Sequence, residues 1–499
     1  MGQPTFSMIY RHGMRIAAVA LSTALVVGLT PTLSGTPSAA TAEAATSEHP
    51  AAVAAAAARP AVGGGSAGDP YVPGHGNRGY DVRHYRITAT LHPDKRLVGR
   101  TRVTAVASKR LRRFNLDLVL DATSVRVGGR PARFSQRGRE LVVTPRRAVR
   151  KGARFTVTVA YADRPTEVTH QGLRPFLATR TGAVVVGEPE SAPWWFASND
   201  HPSDKATYDI RLRAAHGTEA ISVGRLAGRR NVGDLTQWRW VMRRPMTTYL
   251  AFAAWGDFRI VRERAGGVRY LYAYDRGLSK GVRTRAVRSL RRTPQVVQYL
   301  ERHLGPYPYA DLGGVVTTAD LGFALETQAR PVYEDGFFTR GAGLEPGRNT
   351  SVVAHEVAHQ WFGNAVSLRR WRDIWLNEGL ATYLEWMWDE SQGLGTVDSV
   401  FDDWYEYGGR SFWRLPIGDP GPDRIFDHRV YVRGAMAAHA LRDRIGDPAF
   451  FALLRRWVQE RRDGHGTTAQ FVRLAEGVSG RPLDAFFDAW LYGRSRPSL

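Results

Sequence analysis

The sequence predicts a multidomain chain in which a β-sheet domain precedes a mainly α-helical one. Three observations predict it. Runs with an apolar residue at every second position fill the stretch from Tyr80 to about Val261, segments with helical spacing follow, and the charge balance changes at the same place. Residues 1–262 carry 38 basic and 18 acidic side chains, whereas residues 263–499 carry 31 and 29. With 499 residues, 43% of them hydrophobic, the chain can bury more than one core, which excludes wholesale disorder. It has no cysteine, so disulfide scaffolds, thiol nucleophiles and thiolate metal sites are excluded; any metal has to be held by His and carboxylates.

The elements follow in order. Arg11 and Arg15 precede an apolar run at 16–30 that Pro31 ends, and small-residue sites follow at Ala40-Thr41-Ala42 and Ala42-Glu43-Ala44. This predicts a secretory signal peptide over residues 1–44 and a secreted, extracellular chain, because the run falls short of the roughly 20 residues of a membrane span. Residues 45–69 are rich in Ala, Pro, Gly and Ser without an aromatic side chain, which predicts a flexible linker. Residues 70–262 form the predicted β domain, with runs such as YDVRHYRITATLH and FTVTVAYA punctuated by Gly, Pro and Asp. Residues 263–499 form the predicted helical domain, with helical spacing at 282–304, 349–363, 372–388 and 434–445 and one strand at 313–318. A cleft between two such domains is a usual place for an active site.

The formal charge of +22 by itself suggests a nucleic-acid partner. The export signal and the nearly balanced second half argue against one. Only five of the 69 basic residues are Lys, which fits a coding bias toward Arg. The sharper alternative is a weak association of the basic N-terminal domain with an anionic cell surface.

The chemistry begins at His355-Glu356-Val357-Ala358-His359, an H-E-x-x-H pattern within an apolar helical segment. Residues four apart share a helix face, so both imidazoles can reach one ion, for which zinc is the natural choice. Glu356, about 100° around the helix, can serve as general base toward a water. The pentapeptide alone arises by chance often enough that a third ligand is needed. Glu378, after eighteen intervening residues, can complete a His-His-Glu set with one open position, the catalytic arrangement of zinc.

H-E-x-x-H followed at this distance by Trp375-Leu376-Asn377-Glu378-Gly379-Leu380-Ala381-Thr382-Tyr383 resembles the signature of the aminopeptidase N and leukotriene A4 hydrolase family of zinc metallopeptidases, the M1 gluzincins. The resemblance extends from about Asp69 to the end. It implies a saddle-like N-terminal β domain and a thermolysin-like catalytic domain, with one zinc ion per chain on His355, His359 and Glu378. It implies that Tyr431, in Tyr431-Val432-Arg433-Gly434-Ala435, supports the oxyanion beside the general base Glu356. Glu326, in Gly322-Phe323-Ala324-Leu325-Glu326-Thr327, takes the place of the glutamate that binds a substrate's N-terminus, although Phe323, Leu325 and Thr327 depart from the family's G-x-M-E-N. Glu188, in Gly187-Glu188-Pro189-Glu190, aligns with a second amine-binding position, with Glu190 as its nearest rival. Glu385 and Thr382 are candidates to orient a ligand histidine, and His428 reads as a loop residue. Phe486 to Tyr492 resembles the end of the family's catalytic domain, so a short form without the further helical domain is expected.

The function so implied is that of a secreted zinc aminopeptidase acting on peptides with a free N-terminus. A zinc endopeptidase with an open cleft and a catalytically inactive secreted binding protein remain alternatives at this point.

Overall fold

The computed structural model describes residues 61–339 and 350–499, so the expected signal peptide at 1–44 and most of the expected linker lie outside the described residues. The last nine linker residues are a correction. Ala61–Val62 pairs in parallel with the strand Leu111–Asp117, and Asp69 is buried at the junction of the two domains. The small side chains that suggested flexibility serve close packing instead: a Cβ on Gly63 would meet the Arg78 carbonyl oxygen at 2.9 Å.

The β domain is built on an eight-stranded sheet. From edge to edge it runs Arg225–Val232, Leu235–Met246, Ala206–Ala215, Tyr80–Leu91, Leu97–Ala107, Arg154–Asp163, Ala122–Val127 and Arg130–Pro131. All neighbours are antiparallel except Ala206–Ala215 and Tyr80–Leu91. The period-two pattern works as it should on a sheet covered on one face: Tyr85, Ile87 and Ala89 are buried, and Arg86 and Thr88 between them face outward. Two four-stranded sheets complete the domain. At its centre one guanidinium joins three distant segments: Arg139 binds Asp117 at 3.3 Å, Asp200 at 3.1 Å and Glu190, all buried. Burial pushes the Asp117 and Glu190 carboxyls up to about 7, against the attraction of Arg139.

The predicted boundary at 262/263 falls inside the strand Phe258–Ala265. That strand is the edge of a five-stranded sheet with Val268–Asp275, Asp311–Thr317, Val332–Glu334 and Ala324–Leu325. The helical stretch predicted at 282–304 is two helices, Lys280–Leu290 and Thr293–Leu304. Pro294 sits in the first turn of the second, where its missing N–H costs nothing.

Three further helices position the site: Ser351–Ala358, Trp375–Ser391 and His428–Ile445. The last two cross backbone to backbone, since a Cβ on Gly379 would lie 2.7 Å from the Gly434 Cα. Several bonds tie the domains together, two of them through single charged side chains. The half-buried Lys205 donates from Nζ to the carbonyls of Asn364, Ala365 and Gly464 at 2.8, 3.1 and 3.0 Å. The Asp69 carboxylate accepts the Trp371 N–H at 2.8 Å and lies 3.4 Å from His201. Among the described residues no helix is long and apolar enough to cross a membrane.

Candidate active site

The i,i+4 spacing of His355 and His359 does what a helix requires of it. Both imidazoles project from the Ser351–Ala358 helix and its C-terminal residue toward the Trp375–Ser391 helix, with their Nε2 atoms 3.0 Å apart. Glu378 Oε2 lies 3.4 Å from His355 Nε2 and 3.3 Å from His359 Nε2. Ligands bound tetrahedrally at zinc's bond lengths of about 2.0–2.1 Å stand about 3.3 Å from one another, so this triangle fits that ion. The outer ring nitrogens are also held: His355 Nδ1 lies 3.1 Å from Glu385 Oε2 and His359 Nδ1 lies 3.1 Å from the Phe362 carbonyl oxygen. With Nδ1–H donating outward, each Nε2 turns its lone pair to the centre, as a metal ligand must. Glu385, and not Thr382, therefore orients His355; the Thr382 hydroxyl is buried without a hydrogen-bond partner.

Charge follows the geometry. Burial pushes Glu378 up, but the two imidazoles outweigh it and hold the carboxyl down to about 2. Burial would lower His355, yet the hydrogen bonds and charge of Glu378 and Glu385 raise it well above its usual range. Glu356, one residue around the helix, is buried; desolvation pushes its carboxyl up to about 8, and its Oε2 has no hydrogen-bond partner. The half-buried Tyr431 ring lies 6.2 Å from the His355 ring at an angle of 20°. Burial, and after it the charge of Glu378, raises its phenol well above the usual value.

The amine-binding candidates gather at the same centre. Glu326 is buried beside the triad, and Oε1 accepts a hydrogen bond from the Tyr249 hydroxyl at 3.1 Å. Its backbone carbonyl accepts from Gln360 Nε2 at 3.0 Å and Asn364 Nδ2 at 2.6 Å, so residues from the end of the His355 helix onward fix this segment. Glu188, at a cis Glu188–Pro189 peptide bond, has an Oε1 without a hydrogen-bond partner. Burial raises it well above the usual carboxyl range, helped by the charges of Glu326, Glu378 and Glu356. Glu190 instead serves Arg139 and lies 3.4 Å from His75. His75, Glu190 and Asp200 form a second group with ligand atoms close together, but the Arg139 guanidinium already binds both carboxylates. His428 begins its helix beside Asp427, 3.4 Å away.

Sequence reasoning missed Tyr249, Gln360 and Asn364. Tyr249 follows a strand in an apolar run that reads as core. The two amides lie just past H-E-x-x-H, where only their spacing from the helix marks them.

Comparison with known proteins places this geometry. The Peptidase family M1 domain matches residues 341–490. Glutamyl aminopeptidase of Bitis rhinoceros is 27% identical over 334 residues, covering 62% of this chain and 34% of that protein. Tricorn protease-interacting factor F2 of Thermoplasma acidophilum is 24% identical over 412 residues, 76% of this chain and 50% of that one. The chain thus spans a third to a half of the length of these curated relatives. Among solved structures, an M1 zinc metallopeptidase of Deinococcus radiodurans is 28% identical with a TM-score of 0.77, covering 87% of this chain and 99% of its own. A mutant of the M1 zinc metallopeptidase from Deinococcus radiodurans bound to a Tyr-Ser-Ala substrate superposes with a TM-score of 0.76 at 29% identity. The similarity runs through both domains and the ligand triangle has zinc's dimensions: residues 341–490 carry a Peptidase family M1 domain, and the chain shares the two-domain fold of the M1 zinc metallopeptidases.

Proposed function

We propose that the chain is an aminopeptidase that removes N-terminal residues from peptides. The observation that carries this reading is the pair Glu326 and Glu188 beside the metal triad: Glu326 is buried with Oε1 held by Tyr249, Glu188 Oε1 has no hydrogen-bond partner, and a cation there would neutralise both. A substrate's α-ammonium is such a cation. Each charge-assisted hydrogen bond to it contributes about 1.5–3 kcal/mol, enough to favour a free N-terminus over an internal peptide by orders of magnitude.

His355, His359 and Glu378 would hold one zinc ion, which supplies Lewis acidity toward the scissile carbonyl and a water of lowered pKa. Glu356 takes the proton of the attacking water and passes it to the leaving amine. Tyr431 donates to the oxygen of the tetrahedral intermediate; loss of such a donor typically costs about 2.7–4 kcal/mol. Tyr249 orients Glu326 through its hydroxyl. The Arg11 and Arg15 run with its small-residue sites supports export, and the basic β domain would then face an anionic cell surface.

The test is a panel of aminoacyl amides and their N-acetylated forms, run on the wild type and on Glu356→Gln with zinc content measured. Free amines are cleaved and blocked ones spared, and Glu356→Gln keeps its metal while losing activity. Equal cleavage of both sets would refute the aminopeptidase reading, and a zinc-free inactive wild type would refute any catalytic one.

A further inference from the structure

The basic excess of the first half has an address. On the outward face of the eight-stranded sheet, register brings two adjacent rows of arginine together. One row holds Arg86, its direct partner Arg102 on the next strand, and Arg126 two strands further on, opposite Thr158. The other holds Arg239, its direct partner Arg211, and Arg100 opposite Thr88. Rows two residues apart are separated by about 6.8 Å and neighbouring strands by about 4.8 Å, so the six arginines span about 24 Å across six strands of one sheet face.

Across these two rows the one carboxylate is Asp209, and it is taken: Arg239 bonds it at 2.7 and 3.2 Å, and Arg211 lies 3.5 Å away. Arg86, Arg100, Arg102 and Arg126 are exposed, and none of them pairs with a carboxylate among the described residues. Like charges directly opposite one another across a sheet are destabilising. The coding bias toward Arg explains why these residues are not Lys. It does not explain why six of them line up on one face with a single carboxylate, Asp209, among them.

We propose that this face binds a linear polymer with phosphodiester charges, of the kind carried on a cell surface; the inference rests on the export part of the reading above and not on the peptidase part. Complementary charge selects a polyanion, and Arg suits phosphate through its forked donors. The rest of the face decides against single-stranded nucleic acid. Between the arginines stand Thr88, Thr104, Thr156, Thr158 and Ala160, and the ring beside them, the half-buried His84 imidazole, is tied to the Thr207 hydroxyl at 2.8 Å, so the face offers no run of stacking platforms. A flat sheet without a pocket fits a flexible chain read by charge alone.

The experiment compares two variants of the full chain that carry the same change of charge. One is Arg86→Gln/Arg100→Gln/Arg102→Gln/Arg126→Gln. The other is Arg112→Gln/Arg146→Gln/Arg147→Gln/Arg150→Gln, at exposed positions away from this face. Binding to immobilised poly(glycerol phosphate) is measured between about 50 and 200 mM salt. The face variant is expected to lose on the order of 100-fold in affinity at low salt. Its slope of log affinity against log salt should fall by about 3 relative to wild type, four contacts at about 0.7 each, while the second variant stays near wild type. Equal losses in both variants, or wild-type binding to oligo(dT) or heparin as tight as to the polymer, would overturn the proposal. Cleavage of a small peptide, read in parallel, is expected to be unchanged in both variants. Absence of cleavage with intact polymer binding would defeat the aminopeptidase reading alone, and fractionation of the producing cells tests export separately.

Discussion

Replacing Gly379 with Ala tests how the catalytic geometry is set. An added Cβ would lie 2.7 Å from the Gly434 Cα and 2.8 Å from its carbonyl carbon, and both are backbone atoms with no rotamer to change. Restoring ordinary contact at 3.4 Å requires the two helices to part by roughly 0.7 Å. Overpacking of this kind costs about 1–3 kcal/mol, whereas Gly→Ala within a free helix gains about 1 kcal/mol, so the net expectation is a loss of up to about 2 kcal/mol. Glu378 precedes Gly379, and Tyr431 lies one helical turn before Gly434, so the separation displaces the proposed metal ligand relative to the proposed oxyanion donor. Misplacement by about 1 Å costs on the order of 100-fold in rate, so a fall in kcat of about 10- to 100-fold is expected. The assay is kcat and KM on an aminoacyl amide with Tm and zinc content measured alongside. Gly477→Ala is the control, at an exposed helical position where the new Cβ meets nothing within 4 Å; it should be neutral or stabilising. If Gly379→Ala matched that control in Tm and kept wild-type kcat, the reasoning would be wrong.

Glu385→Gln should weaken zinc binding by about 10- to 100-fold, seen as metal lost on dialysis against a chelator, whereas Thr382→Val should retain its metal. Arg139→Met strands three buried carboxylates and is expected to cost about 3–5 kcal/mol in denaturant unfolding. Asp69 gives a dependence on pH. Burial raises its carboxyl, but hydrogen bonds from His201 and the Trp371 and Tyr71 amides prevail and hold it below the usual value. Its stabilisation is therefore present above the unfolded carboxyl pKa of about 3.9 and lost as pH falls through the lower folded value. Hydrogen exchange of residues 61–75 should accelerate below about pH 4, and in Asp69→Asn that acid step should disappear.

Much of the site was legible because its chemistry depends on local spacing. Four residues on a helix place His355 and His359, and a fixed interval to a second helix places Glu378. The outward arginines and inward apolar residues of Tyr80–Leu91 were legible for the same reason, a period of two. What depends on distant partners was not. Arg139 lies in a stretch dense with exposed basic residues, and nothing beside it announces Asp117, Glu190 and Asp200. Glu188 and Glu190 are alternatives in sequence, and only the guanidinium that claims Glu190 separates them. Residues 61–69 carry no apolar pattern because their packing is made by backbone, and the break between the helices of 280–304 turns on Pro294, inside an otherwise continuous apolar period.

The ties between the domains bear on how substrate enters and product leaves. Lys205 and Asp69 reach from the β side into the catalytic side at separate points, each bonded to backbone groups there. Two such fastenings restrict a hinge to rotation about the line that joins them, and the buried Arg330, bonded to the Ser222 and Gly224 carbonyls, adds a third. The β domain also contributes Glu188 and Tyr249 beside the triad, so swinging it away would break the Tyr249–Glu326 bond and the proposed amine site with it. The proposed peptidase is therefore expected to take up and release peptides without a wide swing of the β domain.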